Sequence, residues 1–307
     1  KEIEYLKSIE YTIESHADYN FDSNIPIFTI LICVFDRIEY FKKACESALN
    51  QTYENVEIIL CNQQGTEEVS THCQEIFRNN GNVKLINTKG RKFTKLEDHT
   101  NHPIHNLWNA GLFCSEGDFI HAQSDDDLLS ENFAECIVKL FNNNKNCIAA
   151  GGAIRSIDGQ GNDTHRNYCL PETKYISGID MMNGFIGNKS IYSGPGGFLT
   201  FDTDKLINVG GYDSNWDSGQ ILRVAVLGDI GCDKKATKKL IAWVRDLEAG
   251  STVEKPVMSD RMHKEIINVC PDCHKRAMDW QEQNKKEQEN ANKTYVTKPI
   301  PDSKGGK

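Results

Sequence analysis

The 307-residue sequence lacks two features that would assign it to a common class of protein. It has no apolar run approaching the roughly 20 residues that a membrane-spanning helix needs, so we expect no transmembrane segment. It also has no excess of positive charge, because 44 acidic residues outnumber 35 basic ones and leave a formal net charge of -9. Nucleic acid and anionic membranes would be repelled on average, so neither is an expected partner.

The length and the cysteine content bound the class of fold. At this length the chain can bury the core of one large α/β domain, or of one domain with an appendage, without crosslinks. Its eleven cysteines are odd in number and scattered, and some, such as Cys33 and Cys61, lie within apolar runs. This pattern is typical of small buried side chains in a reducing compartment, so we expect a cytoplasmic protein. The sequence starts at Lys1 without a signal-peptide pattern, and we expect a soluble piece of a longer protein.

The hydrophobic pattern alternates between buried strands and amphipathic helices. Residues 27–35 form a continuous apolar, β-branched run, which is typical of a strand buried on both faces of a parallel sheet. Residues 40–50 carry apolar side chains at helical spacing, and another strand-like run follows, which implies a right-handed crossover. The later predicted elements are strands at 56–61, 83–86, 118–123, 147–154 and 198–201 and helices at 71–77, 104–114 and 131–141.

The two ends of the chain differ in composition from its middle. Residues 1–24 are polar, with Ile3, Leu6 and Ile9 at helical spacing, and we expect an N-terminal lead-in there. Residues 25–254 then form one α/β domain. From residue 255 to residue 307 the chain is charged and rich in Asn and Gln, which predicts a helical extension that ends in a disordered tail.

Three adjacent carboxylates, Asp125, Asp126 and Asp127, follow the predicted strand 118–123. Ligands of open α/β sheets collect outside the carboxyl ends of the strands. Adjacent carboxylates repel one another, and a hard divalent cation would neutralise them. Magnesium or manganese prefers one or two carboxylates together with phosphate oxygens and water, which suits a diphosphate leaving group. The same residues could instead be solvated turn and helix-capping residues before Leu128.

A further candidate carboxylate, Asp217, follows the segment Gly210-Gly211-Tyr212-Asp213 and precedes Arg223 on an apolar stretch. A carboxylate held opposite a metal site could take the proton from an attacking hydroxyl, a step that contributes about 10²–10⁴-fold in rate. The alternative interpretation makes Asp217 a helix N-cap, with Arg223 as its exposed partner.

Short motifs also occur in a fixed order along the chain. Val34-Phe35-Asp36-Arg37 ends the first strand, and Ser47-Ala48-Leu49-Asn50-Gln51-Thr52-Tyr53 ends the first helix. Asn109-Ala110-Gly111-Leu112, Gly117-Asp118-Phe119-Ile120 and the acidic segment follow. In this order the motifs resemble glycosyltransferase family 2, the inverting nucleotide-sugar enzymes of the GT-A fold.

The resemblance covers residues 26–250 and implies a Rossmann-like, mostly parallel sheet flanked by helices. It implies transfer of a sugar with inversion from a nucleoside-diphosphate donor, with UDP favoured over GDP, to a hydroxyl of a glycan or other acceptor. Mn²⁺ or Mg²⁺ would be bound by Asp125, Asp126 and Asp127, chiefly Asp126, and Asp217 would be the catalytic base. The nucleotide-sugar-binding residues would be Val34, Phe35, Asp36, Asn62, Arg91, Asn109, Asp125 and Trp216.

Three positions depart from the family pattern. Asn62 stands where an Asp typically recognises the base, and an amide offers both a donor and an acceptor there. Trp108 replaces an Arg, so Arg91 or Lys92 would supply positive charge to the diphosphate, and Trp216 replaces an acidic residue and could stack on a sugar. These departures favour the alternative of a catalytically inert nucleotide- or carbohydrate-binding module, against which the retained carboxylates argue.

Two other classes of site are disfavoured by spacing. An aspartate-dependent phosphatase would carry Asp-x-Asp after the first strand, whereas the chain has Asp36-Arg37-Ile38. Cys270-Pro-Asp-Cys273-His274 fits half a zinc site or a haem-attachment pattern, but only His263 is a nearby further ligand for zinc. Haem attachment would require an oxidising compartment, against which the other cysteines argue. We interpret the role of this segment as structural or incidental.

Overall fold

The computed structural model describes residues 10–34, 37–63, 65–89, 103–157, 162–168, 175–180, 199–212, 224–225 and 227–241. Strands and helices alternate through its first half, as the hydrophobic pattern predicts. The elements are β1 (Glu10–Glu14), β2 (Phe28–Val34), α1 (Ile38–Leu49), β3 (Val56–Asn62), α2 (Glu67–Asn79), β4 (Val83–Lys89), α3 (Pro103–Cys114), β5 (Phe119–Ser124), β6 (Asp127–Leu129), α4 (Phe133–Asn143), β7 (Cys147–Ile157), β8 (Asp163–Tyr168), β9 (Tyr175–Ser177), β10 (Thr200–Asp202), α5 (Thr203–Asn208) and β11 (Asp229–Ile241).

The described strands form one mixed sheet in the order β1-β4-β3-β2-β5-β10-β7-β11-β6, with β8 beside β7 and β9 beside β11. Strands β4, β3, β2 and β5 run parallel to one another, and so do β7 and β11. Strand β10 lies antiparallel between β5 and β7 and joins the two parallel groups. The predicted α/β fold with parallel central strands is therefore confirmed.

Helices cover both faces of the central strands, which explains why β2 and β3 are apolar at almost every position. On one face Ile30 and Ile32 pack with Phe41 of α1 and Ile137 of α4 in one buried cluster. On the other face alternate residues, including Leu31, pack with α3 and α5 in a second cluster. Side chains of a strand alternate between its two faces, so a strand covered on both sides needs no polar face.

The predicted lead-in contributes a strand that the periodicity did not indicate. Strand β1 pairs antiparallel with β4 at the edge of the sheet. Tyr11 and Ile13 are 39% and 47% exposed. Because the strand buries few apolar side chains, its sequence does not show the apolar pattern by which strands are predicted. Ile3, Leu6 and Ile9, whose spacing predicts a helix, lie outside the described residues.

Strand β6, which contains the last residue of the acidic triplet, was also not predicted. Its three residues pair antiparallel with residues of β11 about 110 positions later in the chain, and helix α4 begins only at Phe133. A three-residue strand is too short to show a period of two, so its pairing is visible only in three dimensions. The predicted extension at 255–307, with Cys270 and Cys273, lies outside the described residues.

The cysteines within the described residues are free thiols, and seven of these eight are buried. Cys33 and Cys61 lie in the core, as their apolar surroundings predict. Burial raises the pKa of the Cys33 thiol well above its usual range, with a smaller contribution from Cys61 beside it. Among the described helices, none combines the length and apolarity that crossing a membrane would require.

A buried ion pair fastens the amino ends of the parallel strands, at the edge opposite the acidic triplet. The carboxylate of Glu57 on β3 is fully buried and lies 2.7 Å from Nζ of Lys84 on β4. It also accepts hydrogen bonds from the Thr29 hydroxyl at 2.5 Å, the Ser115 hydroxyl at 3.2 Å and the Glu116 backbone N–H at 3.0 Å. One carboxylate therefore ties β2, β3, β4 and the end of α3 together.

We expect Lys84→Met to lower the free energy of unfolding by roughly 3 kcal/mol, because it leaves a buried carboxylate without its counter-charge. Three hydrogen-bond donors to Glu57 remain, which places the loss at the low end of the range for buried pairs. Urea denaturation measures the change. Lys139→Met is the matched control, since it removes an exposed ion pair to Glu135. Equal stability of the two variants would contradict the role given to Glu57.

Candidate functional site

The candidate site lies at the carboxyl edge of the parallel strands, where predicted base-binding and metal-binding positions meet. Val34 at the end of β2 is in register with Asn62 at the end of β3, and Cys33 is in register with Ser124 at the end of β5. Asp125 follows Ser124 directly. Because ligands of open α/β sheets bind outside this edge, the structure brings these positions to the expected place.

The acidic triplet is buried. Asp125, Asp126 and Asp127 are only 5%, 9% and 6% exposed. Asp127 begins β6, where it is in register with Leu240 of β11, and only three residues lie between the end of β6 and Phe133, the first residue of α4.

 The helix therefore starts four positions beyond the end of β6, so the alternative of solvated helix caps does not fit this geometry. Buried carboxylates need a positive partner to stay ionised.

Arg37 provides positive charge at the triplet. Its guanidinium pairs in fork geometry with both oxygens of Asp125, with Nη2 on Oδ1 and Nε 3.2 Å from Oδ2. Its Nη1 donates to Oδ2 of Asp126 at 2.5 Å. Such bidentate, charge-assisted contacts are strong and directional. The sequence motif contains Arg37, but local periodicity gave it no role, because its partners lie about 90 positions later in the chain.

The buried environment of Asp125 disfavours the ionised form of its side chain. Burial raises the pKa of Asp125 to about 6, against the opposing effect of Arg37 and with a smaller upward contribution from Asp126. Desolvation disfavours the charged form of a carboxyl group, whereas a nearby positive charge favours it. The ionised form of this side chain therefore depends on a cation beside it.

The donor set of the triplet suits a hard divalent cation. Within the described residues, no group of three or more His, Cys, Asp or Glu side chains is arranged around one metal position. Asp125 and Asp126 nevertheless direct carboxylate oxygens at one positive group, the Arg37 guanidinium. Two carboxylates are a sufficient protein contribution for Mg²⁺ or Mn²⁺ when phosphate oxygens and water complete the shell. These residues therefore fit a divalent cation that would compete with Arg37.

The end of α1 holds the chain that follows the triplet. The hydroxyl of Ser47 accepts from the backbone N–H of Leu129 at 3.2 Å. The side chain of Gln51 donates to the Ser130 carbonyl and accepts from the Ala134 N–H, both at 2.9 Å. The Ser47 to Tyr53 motif thus acts on the backbone that leaves the acidic segment, a role that the sequence did not indicate.

Asn62 is buried, and most of its side-chain hydrogen-bonding capacity is used within the protein. Its amide nitrogen donates to the Ser70 hydroxyl and to Oδ1 of Asn87, both at 3.0 Å. Its amide oxygen accepts from the Gly65 backbone N–H at 3.1 Å. Asn87 in turn donates to Glu14 of β1 at 3.2 Å. Both amide hydrogens are therefore engaged, and only one lone pair of the oxygen remains.

Asn109 on α3 is engaged with the backbone of one distant residue. Its amide nitrogen donates to the carbonyl of Tyr212 at 2.8 Å, and its amide oxygen accepts from the Tyr212 N–H at 2.8 Å. Trp108 beside it is only 5% exposed, and its ring centroid lies 5.3 Å from that of Tyr212. The residue that replaces the family's Arg is therefore packed in the core.

The remaining predicted site residues divide into two groups. Val34 is 2% exposed and packs in the apolar cluster beneath α1 and α2, so its side chain belongs to the core. The others lie outside the described residues, and their roles stay predictions: Phe35, Asp36, Arg91, Trp216 and Asp217.

Known proteins share both the sequence pattern and the fold. The family model of glycosyl transferase family 2 matches residues 29–202. An uncharacterized glycosyltransferase of Haemophilus influenzae is 28% identical over 134 residues, which are 44% of this chain and 38% of that protein. The chondroitin synthase of Pasteurella multocida is 24% identical over 148 residues, which are 48% of this chain and 14% of that protein.

A solved structure supports the same fold. The crystal structure of the 1–349 fragment of S. aureus TarS, in complex with UDP-GlcNAc, matches with a TM-score of 0.54 at 12% identity, over 79% of this chain and 65% of that one. The match confirms the predicted GT-A architecture. The chain spans well under two thirds of the curated relatives named above. The family match covers more than half of the chain, which therefore belongs to glycosyl transferase family 2.

Proposed function

We propose that this chain transfers a sugar from a nucleoside-diphosphate donor to a hydroxyl group of a glycan or other acceptor, with inversion at the anomeric carbon. The observation that carries the proposal is the convergence of the Asp125 and Asp126 carboxylates on one cationic group. They do so at the edge of a parallel sheet where nucleotides bind. A donor diphosphate brings a divalent cation with it, and these two carboxylates supply the protein's share of its ligands.

The chemistry of Asn62 fits a base that presents an N–H donor, as the uracil of UDP does. Because both amide hydrogens are used by Ser70 and Asn87, Asn62 can meet a base only as an acceptor. That is the role a carboxylate would have at the same position, and it suits the N3–H group of uracil. The TarS fragment that shares this fold binds UDP-GlcNAc, which also supports a UDP-sugar donor. Phe35 and Asp36, next to the end of β2, would complete the nucleotide pocket.

In the mechanism that we propose, Asp217 accepts the proton of the attacking hydroxyl as its oxygen bonds to the anomeric carbon. Bound Mn²⁺ or Mg²⁺ would supply charge stabilisation to the departing nucleoside diphosphate. Asp126 would be the main ligand of that cation, with Asp125 and Asp127 as further ligands. Arg91 would add positive charge near the diphosphate, and Trp216 would stack on a sugar face.

Separate observations support an acceptor class and a compartment. The chondroitin synthase that resembles the chain is named for making a glycan, and this supports a glycan acceptor. The buried free thiols of the described residues support a reducing compartment, so we propose a cytoplasmic location.

A second candidate function is a nucleotide- or carbohydrate-binding module without catalytic activity. The observations that favour it are the engaged amide of Asn62 and the core position of Trp108, where the family pattern has charged residues. Such a module would bind the nucleotide sugar and the cation without turning the donor over. Turnover therefore separates the two functions.

Metal binding provides the first test of the site, without any need for a known donor. We expect Asp126→Asn to weaken Mn²⁺ binding by roughly tenfold or more, since loss of even an outer-shell partner of a metal ligand costs that much. Arg37→Ala should have the opposite effect and tighten Mn²⁺ binding, because it removes the competing guanidinium. Isothermal titration calorimetry with Mn²⁺ alone measures both changes.

Lys42→Ala is the matched control, since Lys42 lies on α1 and, among the described residues, forms ion pairs with the exposed carboxylates of Glu39 and Glu68. It should leave Mn²⁺ affinity unchanged. Unaltered binding in Asp126→Asn, together with weaker binding in Arg37→Ala, would remove the basis for a metal at the triplet.

The catalytic role of Asp217 has a separate test. Asp217→Asn should lower the rate of sugar transfer by about 10²–10⁴-fold, because an amide cannot accept the proton. UDP affinity in the presence of Mn²⁺, measured by calorimetry, should stay the same. Asp204→Asn, a change at an exposed carboxylate in the first turn of α5, is the control and should keep full activity. Full activity of Asp217→Asn would refute the assignment.

A further inference from the structure

We infer that Asn109 is a positioning residue that fixes the start of the segment carrying Asp217, rather than a ligand of the nucleotide sugar. This inference rests on the proposed function, in which Asp217 is the base. Asn109 is only 6% exposed, and its amide donor and acceptor are both directed at the backbone of Tyr212. The paired 2.8 Å hydrogen bonds resemble the exchange between two strands and leave that backbone little freedom.

The backbone that Asn109 holds has a shape that only glycine permits. Gly210 and Gly211 have φ angles of 97° and 72°, in the left-handed region that is unfavourable for other residues. A Cβ atom on Gly211 would also lie 2.4 Å from Oδ1 of Asn109. The two glycines therefore let the chain turn close to the amide, and Tyr212 presents its N–H and carbonyl to it.

Both sides of this contact are tied to neighbouring elements. On the α3 side, a Cβ atom on Gly111 would lie 2.3 Å from Leu31 of β2, so glycine is what lets this helix approach the sheet closely. On the other side, the Gly211 N–H donates to the Leu206 carbonyl at 2.9 Å and so fastens the segment to α5. The Asn109-Ala110-Gly111 motif thus joins the sheet to the Gly210-Gly211-Tyr212 turn.

Asp217 follows Tyr212 by five positions in the sequence. A fully extended chain spans at most about 3.6 Å per residue, so five positions reach at most roughly 18 Å. The ring of Tyr212 is 2% exposed and packs near Trp108 and Phe201, so this end of the segment is held by its side chain as well as its backbone. Small displacements of a catalytic group reduce the rate strongly, whereas nucleotide binding at β2 and β3 would not depend on this contact.

Replacement of Asn109 tests this inference, because a positioning residue should change kcat and leave the affinity for UDP unchanged. In Asn109→Ala and Asn109→Asp, kcat for UDP-GlcNAc hydrolysis should fall by about 10–100-fold, since a displacement of 1 Å can cost about 10²-fold. The Kd for UDP with Mn²⁺ should stay within about twofold, because no ligand contact is lost. Gly211→Ala should reproduce the effect, and the double variant should be no worse than either single variant, since both changes break one interaction.

Asn55 supplies the matched control. It is a buried Asn (3% exposed) that clamps backbone in the same way, between the Asp22 N–H and the Asp22 and Ile25 carbonyls, but at the amino end of β3. Asn55→Ala should lower the melting temperature and leave kcat unchanged. If Asn109→Ala behaves like Asn55→Ala, or if it raises the Kd for UDP instead of lowering kcat, the positioning role is wrong.

Hydrogen exchange keeps the test independent of the proposed function. The Tyr212 amide should exchange faster in Asn109→Ala than in the wild type and in Asn55→Ala, because its N–H loses its acceptor. Unchanged exchange would overturn the inference even if the chain proved to be inactive. Conversely, normal wild-type turnover that Asp217→Asn abolishes and Asn109→Ala leaves intact would refute this inference and retain the proposed function.

Discussion

The structure around the candidate site depends on one constraint, the burial of three adjacent carboxylates at the carboxyl edge of parallel strands. Buried negative charges are unfavourable unless a positive group neutralises them. In the described residues Arg37 does so for Asp125 and Asp126 with a fork of hydrogen bonds. A divalent cation would meet the same requirement, so a single geometry accounts for both the stability of the free protein and the metal chemistry that we propose.

Several residues of the family motifs make hydrogen bonds within the protein around this charge. Ser47 and Gln51 hold the chain after the acidic triplet. Asn62 ties the end of β3 to α2 and β4, while Asn109 ties α3 to Tyr212. A buried amide that uses its donor and acceptor within the protein is a rigid connector, because leaving either group unpaired is costly. These internal hydrogen bonds therefore help to set the shape of the site.

The sequence predicted the features that depend on residues close together in the chain. Strand β2 and helix α1 were evident because the apolar run and the helical spacing are contained in short windows. The place of Asp125 at a strand end followed from the same reasoning. The pairing of Arg37 with Asp125, the contact of Asn109 with Tyr212 and the edge strand β1 were not predictable in this way. They join residues about 70 to 100 positions apart, and a single sequence contains no periodic signal for such contacts.

The central claim is that the chain uses a divalent cation to transfer a sugar from a nucleotide donor. The most direct test measures release of nucleoside diphosphate from a panel of UDP- and GDP-sugars, with Mn²⁺ and with EDTA. The account predicts release from a UDP-sugar that requires Mn²⁺ and stops with EDTA. Binding of UDP-sugars without release, with or without an added glycan acceptor, would instead identify an inert module, and release that is insensitive to EDTA would contradict the role of the acidic triplet.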